Sequence, residues 1–396
     1  MKPEALFLAH RIPYPPDKGD KIRSWRILKH LTGRFRVHLA CFVDDSRDFQ
    51  HQSFLEGMCE SVTFIPLNPA KARLRSLKGI VTGAPLSFEY FQDRKMAKRI
   101  REIRARPLKA EIVFSSSMAP YIETPFEGRK RIVDFCDADS EKWRSYAEST
   151  KSMMAPIYGR EAKLLARRET EIAARANASF AVSADEAAVF NARPNMARPV
   201  GWFQNGVDTD FFAPTTAAET PSHDCIFTGA MDYRANVEGV LCFMKEVWPL
   251  VRQLRPNASF AIVGANPAPA ILALDGHDGV TVTGRVDDIR PWLTQARIAV
   301  APLQIARGVQ NKVLEAMAME KAIVVSPEAM TGIDAPGNAA VIAYKPNSMA
   351  EKILQLLDNE EERKNLGETA RRYVLEHHQW AITLMRFDTA LDELGL

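Results

Sequence analysis

Runs of five to seven apolar residues alternate, almost from end to end of the chain, with longer stretches in which apolar positions recur every third or fourth residue. A short continuous run suits a strand buried on both faces, and the longer period suits a helix that covers it. In the first half, strands are expected at 5–9 (ALFLA), 37–43, 61–67, 111–116, 131–135 and 179–183. In the second half the same grammar returns at 224–229, 259–264, 280–284, 298–303, 322–326 and 339–344. Strand and helix in alternation predict parallel sheets with helices on both faces, here twice over. The expected fold class is therefore α/β, with two Rossmann-like doubly wound domains. Beyond residue 348 the pattern is helical to the end, and 379–394 is amphipathic.

Residues 192–224 are rich in Pro, Asn and Thr and poor in helix formers, which places the joint near 193–220. The expected domains are 1–200 and 201–378, with the helix 379–396 packing back on the first. A length of 396 residues accommodates two cores. Hydrophobic content of 46% and charged content of 26% are those of a globular protein, and no apolar run approaches the roughly 20 residues that span a bilayer. The opening MKPEALFLAH holds only a strand-length apolar piece, not the core of a signal peptide, so a cytoplasmic location is expected. The five cysteines are odd in number and show no CxxC spacing, which favours buried thiols over disulfides or a zinc site.

The near-neutral total hides an asymmetry. Residues 1–200 carry 35 Lys and Arg against 24 Asp and Glu, whereas 201–396 carry 17 against 25. Within 69–109 there are 12 basic residues and three acidic ones. The stretch RKMAKRIREIRARPLK (94–109) sets Ile100 and Ile103 among Arg and Lys, like a basic helix at a membrane surface; a solvated charged helix is the plainer reading. It lacks the interleaved aromatics of a single-strand binder, so nucleic acid is not an expected partner.

Three loops carry candidate chemistry, because open parallel sheets bind ligands beyond the carboxyl ends of their strands. The first, HRIPYPPDKGDKIRSWRILKHL, is stiffened by three prolines; Gly19 permits close backbone approach, Asp20 could cap a helix, and Lys18, Lys21 and Arg23 add positive charge. It is not GxGxxG, which disfavours a dinucleotide. The second, FTGAMDYRANVEGVLCFMKEVWP (227–249), ends a strand on Gly229 and starts a helix near Asn236, with Arg234 in range of a phosphate; a capped surface helix accounts for the same residues. The third turns at Arg307-Gly308 into NKVLEAMAM, where free N–H groups, the helix dipole and Lys312 make an anion site. Glu315, on the first turns, either complements the dipole or accepts the hydroxyls of a ribose.

These loops carry a resemblance. NGVDTDFF (205–212), FTGAMDYRANVEG, IVGANPAP (262–269), VTGRVDDIRPWLTQARIAVAPL (282–303) and NKVLEAMAMEKAIVVSP resemble retaining glycosyltransferases of family 4 in order and spacing. LFLAHRIPYPPDKGDKIRSWRILKHL, VHLACFVDD and VDFCDADSEKWRSYA (133–147) are similar to the sugar transferases associated with PEP-CTERM/exosortase exopolysaccharide loci. The resemblance implies a GT-B fold, two domains facing across a cleft. It places the ribose on Glu315, and the base at Gly284, Arg285 and Val286. Backbone N–H groups of Gly308, Val309 and Gln310, with Asn311, would meet sugar or phosphate, and the Gly19 loop with Lys21 would close over the diphosphate.

The chain departs from that pattern in three places. Where the family has its first acidic residue, this chain has Arg307, which cannot accept from a sugar hydroxyl. Where the family has an arginine after the FTG strand, it has Ala230, so Lys312, with Arg307, is expected to supply the missing cation. In place of the family's histidine after the fourth strand stand Ser115, Ser116 and Ser117. Arg23, Ser116, Asp137 and Asp139 are expected on the acceptor side, and the Asp137–Asp139 pair is not expected to hold a metal, since the helix-start site makes one unnecessary.

The expected activity is transfer of a sugar, with retention, from a nucleotide-diphosphate sugar to a glycan acceptor, lipid-linked and at the inner membrane face, in exopolysaccharide synthesis, with no cofactor. A nucleotide-sugar epimerase of the same fold and a non-catalytic binding partner are the competing readings.

Overall fold

The computed structural model describes residues 2–124, 128–150, 152–214, 221–306 and 308–396. The chain divides into two compact units, Met1–Phe203 with Arg386–Leu396, and Gln204–Met385.

The first unit is built on a seven-stranded parallel sheet. Its strands are β1 (Glu4–Ala9), β2 (Arg36–Val43), β3 (Ser61–Pro66), β4 (Leu108–Phe114), β5 (Lys130–Cys136), β6 (Ala178–Ala181) and β7 (Gly201–Trp202), in the order β3-β2-β1-β4-β5-β6-β7. All six residues of β1 are buried, and Phe7 lies opposite Leu39 on one side and Ile112 on the other. The apolar runs are thus the two-sided strands that their lack of alternation predicts.

The second unit has β8 (His223–Thr228), β9 (Phe260–Val263), β10 (Val280–Gly284), β11 (Ala296–Ala301), β12 (Ala322–Val325) and β13 (Val341–Ile342), all parallel, in the order β10-β9-β8-β11-β12-β13. In each sheet the order reverses beside the first strand, between β1 and β4 and between β8 and β11. Crossovers leave the two strands at such a point on opposite faces, which opens a crevice at their carboxyl ends.

Each strand expected from the apolar runs is present, and β7 is an addition at the expected joint. The basic stretch forms the helix Arg94–Arg104, but its apolar side is not available to a membrane: Met96, Ile100 and Ile103 are buried in the core of the first unit. Arg94, Lys95, Lys98, Arg99 and Arg101 form its solvent face, whereas Arg104 is buried against Glu111 at 2.7 Å. At the other end, the amphipathic 379–394 is split into Trp380–Thr383 and Met385–Glu393, and only from Arg386 does the chain belong to the first unit. There Phe387 and Leu391 are fully buried, with the Phe387 ring 5.7 Å from Phe180 and 5.6 Å from Phe203. All five cysteines are free.

Candidate functional site

The site in the second unit is assembled from strand ends outward. β8 runs into Gly229 and β9 into Gly264, with φ of 151° and 157°. A Cβ on Gly264 would stand 1.7 Å from the Gly229 carbonyl oxygen, so the two strand ends approach as closely as backbone allows. Gly264 N–H in turn donates to Gly284 O at 3.2 Å, at the end of β10. Three glycines therefore make a bare backbone ledge along β8, β9 and β10.

Beyond Gly229, the helix Arg234–Glu246 buries Asn236 in its first turn, where the side-chain amide donates to Ala230 O at 2.8 Å. Beyond β11, the chain turns through Gly308, at φ 60°, into the helix Asn311–Ala318. Gln310 does not cap that helix; its amide donates to Gly308 O at 3.1 Å instead. Gln310 O takes the Val313 N–H at 3.0 Å, and an uncapped helix start keeps the earlier N–H groups for another acceptor. Val313, Leu314, Ala316, Met317 and Ala318 are buried, which fixes the helix on the sheet.

Lys312 lies in the first turn of this helix. Its ammonium donates to Asn236 Oδ1 and sits 4.5 Å from the centre of the Phe227 ring. Glu315 follows three residues on and shares the same helix face. Both are half-buried, and the Glu315 carboxylate makes no hydrogen bond to a described residue. Burial pushes Lys312 down to about 7, although the charge of Glu315 works against the shift. Burial likewise pushes Glu315 up to about 7, against the charge of Lys312. A cation and an open helix start suit a diphosphate, and a carboxylate with unused lone pairs suits vicinal hydroxyls.

The other expected donor residues are spread around this centre. Gly284 has φ 67°, Arg285 is exposed, and Val286 packs on the core beyond β10. Val309 is buried, and Asn311 Oδ1 accepts from Asn205 at 3.4 Å. Arg234 is exposed and bonded to Glu238 at 2.7 Å, on the outer side of its helix. Arg307 lies outside the described residues.

In the first unit, three of the singled-out side chains are committed to protein partners. Lys21, expected to meet the donor, is buried between Asp17 at 3.1 Å and Asp48 at 3.0 Å, so its charge is already spent. Arg23, expected on the acceptor side, is wholly buried: Nε donates to Asp134 Oδ2 at 2.8 Å, Nη1 to Phe203 O at 2.9 Å and Nη2 to Ala181 O at 3.3 Å, with the guanidinium 3.7 Å from the centre of the Phe203 ring. It ties the ends of the sheet together and reaches no solvent. Asp20 does not cap its helix, which opens at Gly19; it accepts from His10 Nε2 at 3.2 Å and Arg11 Nη1 at 3.1 Å. Burial alone would raise its carboxyl, but those two partners outweigh it and hold it well below the carboxylate range.

Ser116, Asp137 and Asp139 do share one end of the first sheet, past β4 and β5. Ser116 is buried and Asp137 exposed. Asp139 opens the helix Asp139–Ser149, and burial pushes its carboxyl up. The start of that helix is closed by protein carboxylates: Glu186 accepts from Ala138 N–H at 2.8 Å and Glu169 from Ser140 N–H at 3.1 Å. His10, just past β1, joins this end of the sheet through its contact with Asp20; no motif spacing announces the pair, and only the fold brings it together.

The fold defines a class. The two Rossmann-like parallel-sheet units are the GT-B fold, and the structure is similar over its whole length to sucrose-phosphate synthase from Thermosynechococcus elongatus, with a TM-score of 0.71 at 15% identity, covering 100% of this chain and 99% of that one. It is similar to HepE from Anabaena, solved with UDP-glucose, with a TM-score of 0.69 at 14% identity, covering 99% of this chain and 100% of that one. A third likeness is to WaaG, a glycosyltransferase involved in lipopolysaccharide biosynthesis, with a TM-score of 0.65 at 14% identity and coverage of 98% and 99%. No curated protein matches the sequence. Residues 222–359, which hold Asn236, Lys312 and Glu315, match the family described as Glycosyl transferases group 1. The matched stretch lies wholly within the second unit.

Proposed function

We propose that the chain transfers a sugar, with retention, from a nucleotide-diphosphate sugar to a lipid-linked glycan acceptor at a membrane surface, as a family 4 enzyme of exopolysaccharide synthesis. The observation that carries the reading is the grouping of Lys312, Asn236 and Glu315 at an uncapped helix start, at the strand-order reversal of a group 1 glycosyltransferase domain.

In this reading the helix N–H groups and Lys312 hold the diphosphate, and Glu315 accepts from the ribose hydroxyls. When the glycosidic bond breaks, charge collects on the departing diphosphate. Preorganised donors aimed at that charge lower the barrier, each typically by about 3 kcal/mol. Lys312 is well suited to the task. Burial disfavours its charged form, and an arriving diphosphate favours it. In this reading the cation and the helix start do for the diphosphate what a metal ion would otherwise do. The complex of HepE with UDP-glucose makes UDP-sugars the first donors to try.

The test is a thermal-shift panel of UDP, GDP, ADP and their sugars, repeated on Glu315→Ala. Ligand at about 100 Kd adds roughly 2.7 kcal/mol of stability. A shift with one nucleotide family, lost in the variant, supports the reading. No shift with any of them overturns it. With the donor known, the anomeric configuration of the product tests retention by NMR.

A further inference from the structure

The first unit carries one helical run with its large apolar residues turned outward. Pro69–Ser76 leads through Leu77, whose backbone is right-handed helical, into Lys78–Thr82. Leu74 is 72% exposed, Leu77 52%, Ile80 49% and Val81 90%. Positions 74, 77 and 81 share one face of a helix. Ala72 and Gly79, seven residues apart, hold the opposite face against the protein and are buried. No larger residue fits there: a Cβ on Gly79 would lie 2.8 Å from Ala84 O and 3.2 Å from Leu86 Cδ2.

The run is pinned in this orientation. Arg75 Nε donates to Glu89 O at 3.0 Å, and Arg160 Nη2 donates to Gly79 O at 2.7 Å. Glu161 accepts from the N–H groups of Leu86 and Ser87 at 2.7 and 2.8 Å, fixing the helix that follows. The outward face is bordered by Lys71, Arg73 and Lys78, all exposed, and no acidic residue occurs between Glu60 and Glu89.

We propose that this face docks on an anionic lipid bilayer, with Leu74, Leu77, Ile80 and Val81 entering the boundary between headgroups and acyl chains and Lys71, Arg73 and Lys78 meeting lipid phosphates. An apolar face rimmed with cations is the pattern that binds such an interface. Charge selects the occupant: a second copy of the face would set three cations against three cations, whereas a phosphate-rich surface neutralises them. The inference rests on the membrane-side reading above and names the surface that serves it. It also replaces the helix Arg94–Arg104, whose apolar side is committed to the core.

The test is co-sedimentation of the full chain with vesicles of phosphatidylglycerol and phosphatidylcholine, and with phosphatidylcholine alone. Binding is expected to the anionic vesicles and to weaken with salt. Leu77→Glu/Val81→Glu and Lys71→Gln/Arg73→Gln/Lys78→Gln should each lose on the order of tenfold in binding, with unchanged melting because the residues are exposed. Equal binding by the variants would overturn the assignment of this face while leaving membrane association standing. Failure of the unaltered chain to bind overturns both, and says nothing against sugar transfer, which the nucleotide panel tests without lipid. A dimer that Val81→Glu disperses would give the face to a second copy and likewise overturn the proposal.

Discussion

The Lys312 ammonium donates to Asn236 Oδ1, and so joins the helix that follows β11 to the helix that follows β8 across the strand-order reversal of the second sheet. Gly229 makes room for this contact: a Cβ there would lie 2.7 Å from Asn236 Nδ2 and 3.2 Å from Lys312 Nζ. Asn236 thereby aims the lysine without being a charge itself. Lys312→Ala is expected to lower kcat with the true donor by roughly 100-fold. Asn236→Ala should cost less, and the double variant no more than Lys312→Ala alone, since the asparagine acts through the lysine. Full additivity in the cycle would show that the two residues act separately.

Glu315 carries a stability cost that depends on pH. Its carboxyl is raised from 4.5 to about 7, so the folded state favours the protonated form. The cost is absent below the unfolded value, grows as pH rises from there, and is complete above about 7. Glu315→Gln is therefore expected to raise the melting temperature at pH 8 and to have little effect at pH 4.5. Partial exposure and the lost attraction to Lys312 reduce the gain to about 1 kcal/mol, or roughly 2–4 °C. The same variant should bind nucleotide more weakly. Melts at the two pH values check the sign, and equal shifts at both would show that the carboxylate is not the cause.

Two glycines of the backbone ledge differ in what they demand: both have positive φ, but only Gly264 adds a steric clash. Gly264 has no space for a Cβ, whereas Gly284 has open space and only a left-handed φ to satisfy. Gly264→Ala is expected to cost about 3 kcal/mol or more, and Gly284→Ala about 1 kcal/mol. Urea unfolding of the two variants measures both, and similar losses would refute the close approach of β8 and β9.

Arg23 supplies a third contrast. Removing it leaves Asp134 buried without its partner, and breaking such a pair costs about 3–5 kcal/mol. Arg23→Met should lower stability by that order while leaving acceptor KM unchanged in the folded fraction. A KM effect without loss of stability would return Arg23 to the acceptor side.

What could be read from the chain follows from how locally each feature is encoded. The strands were legible because a strand buried on both faces leaves an unbroken apolar run, as in ALFLA. β7 was not, because Gly201 and Trp202 offer two residues and no pattern. The helix-start site was legible because Gly308, Lys312 and Glu315 lie within eight residues and one helix positions them. Lys21 and Arg23 look like loop cations for the opposite reason: their partners Asp48 and Asp134 lie 27 and 111 positions away, and only tertiary structure delivers them. Ile100 and Leu74 show the same limit from two sides. Both sit among basic residues, and which of them faces water is decided by what the rest of the unit packs against.

The return of the chain at Arg386 bears on the order in which the protein is made. Phe387 and Leu391 complete the core beside Phe180 and Phe203, and Arg34 reaches Asp388 at 3.0 Å, yet 182 residues of the other unit separate this segment from Phe203. While it emerges from the ribosome, the first unit must wait with an apolar site uncovered, whereas the second is encoded without interruption. The later half of the gene product thus has all it needs to fold as soon as it is synthesised, and the earlier half is finished last.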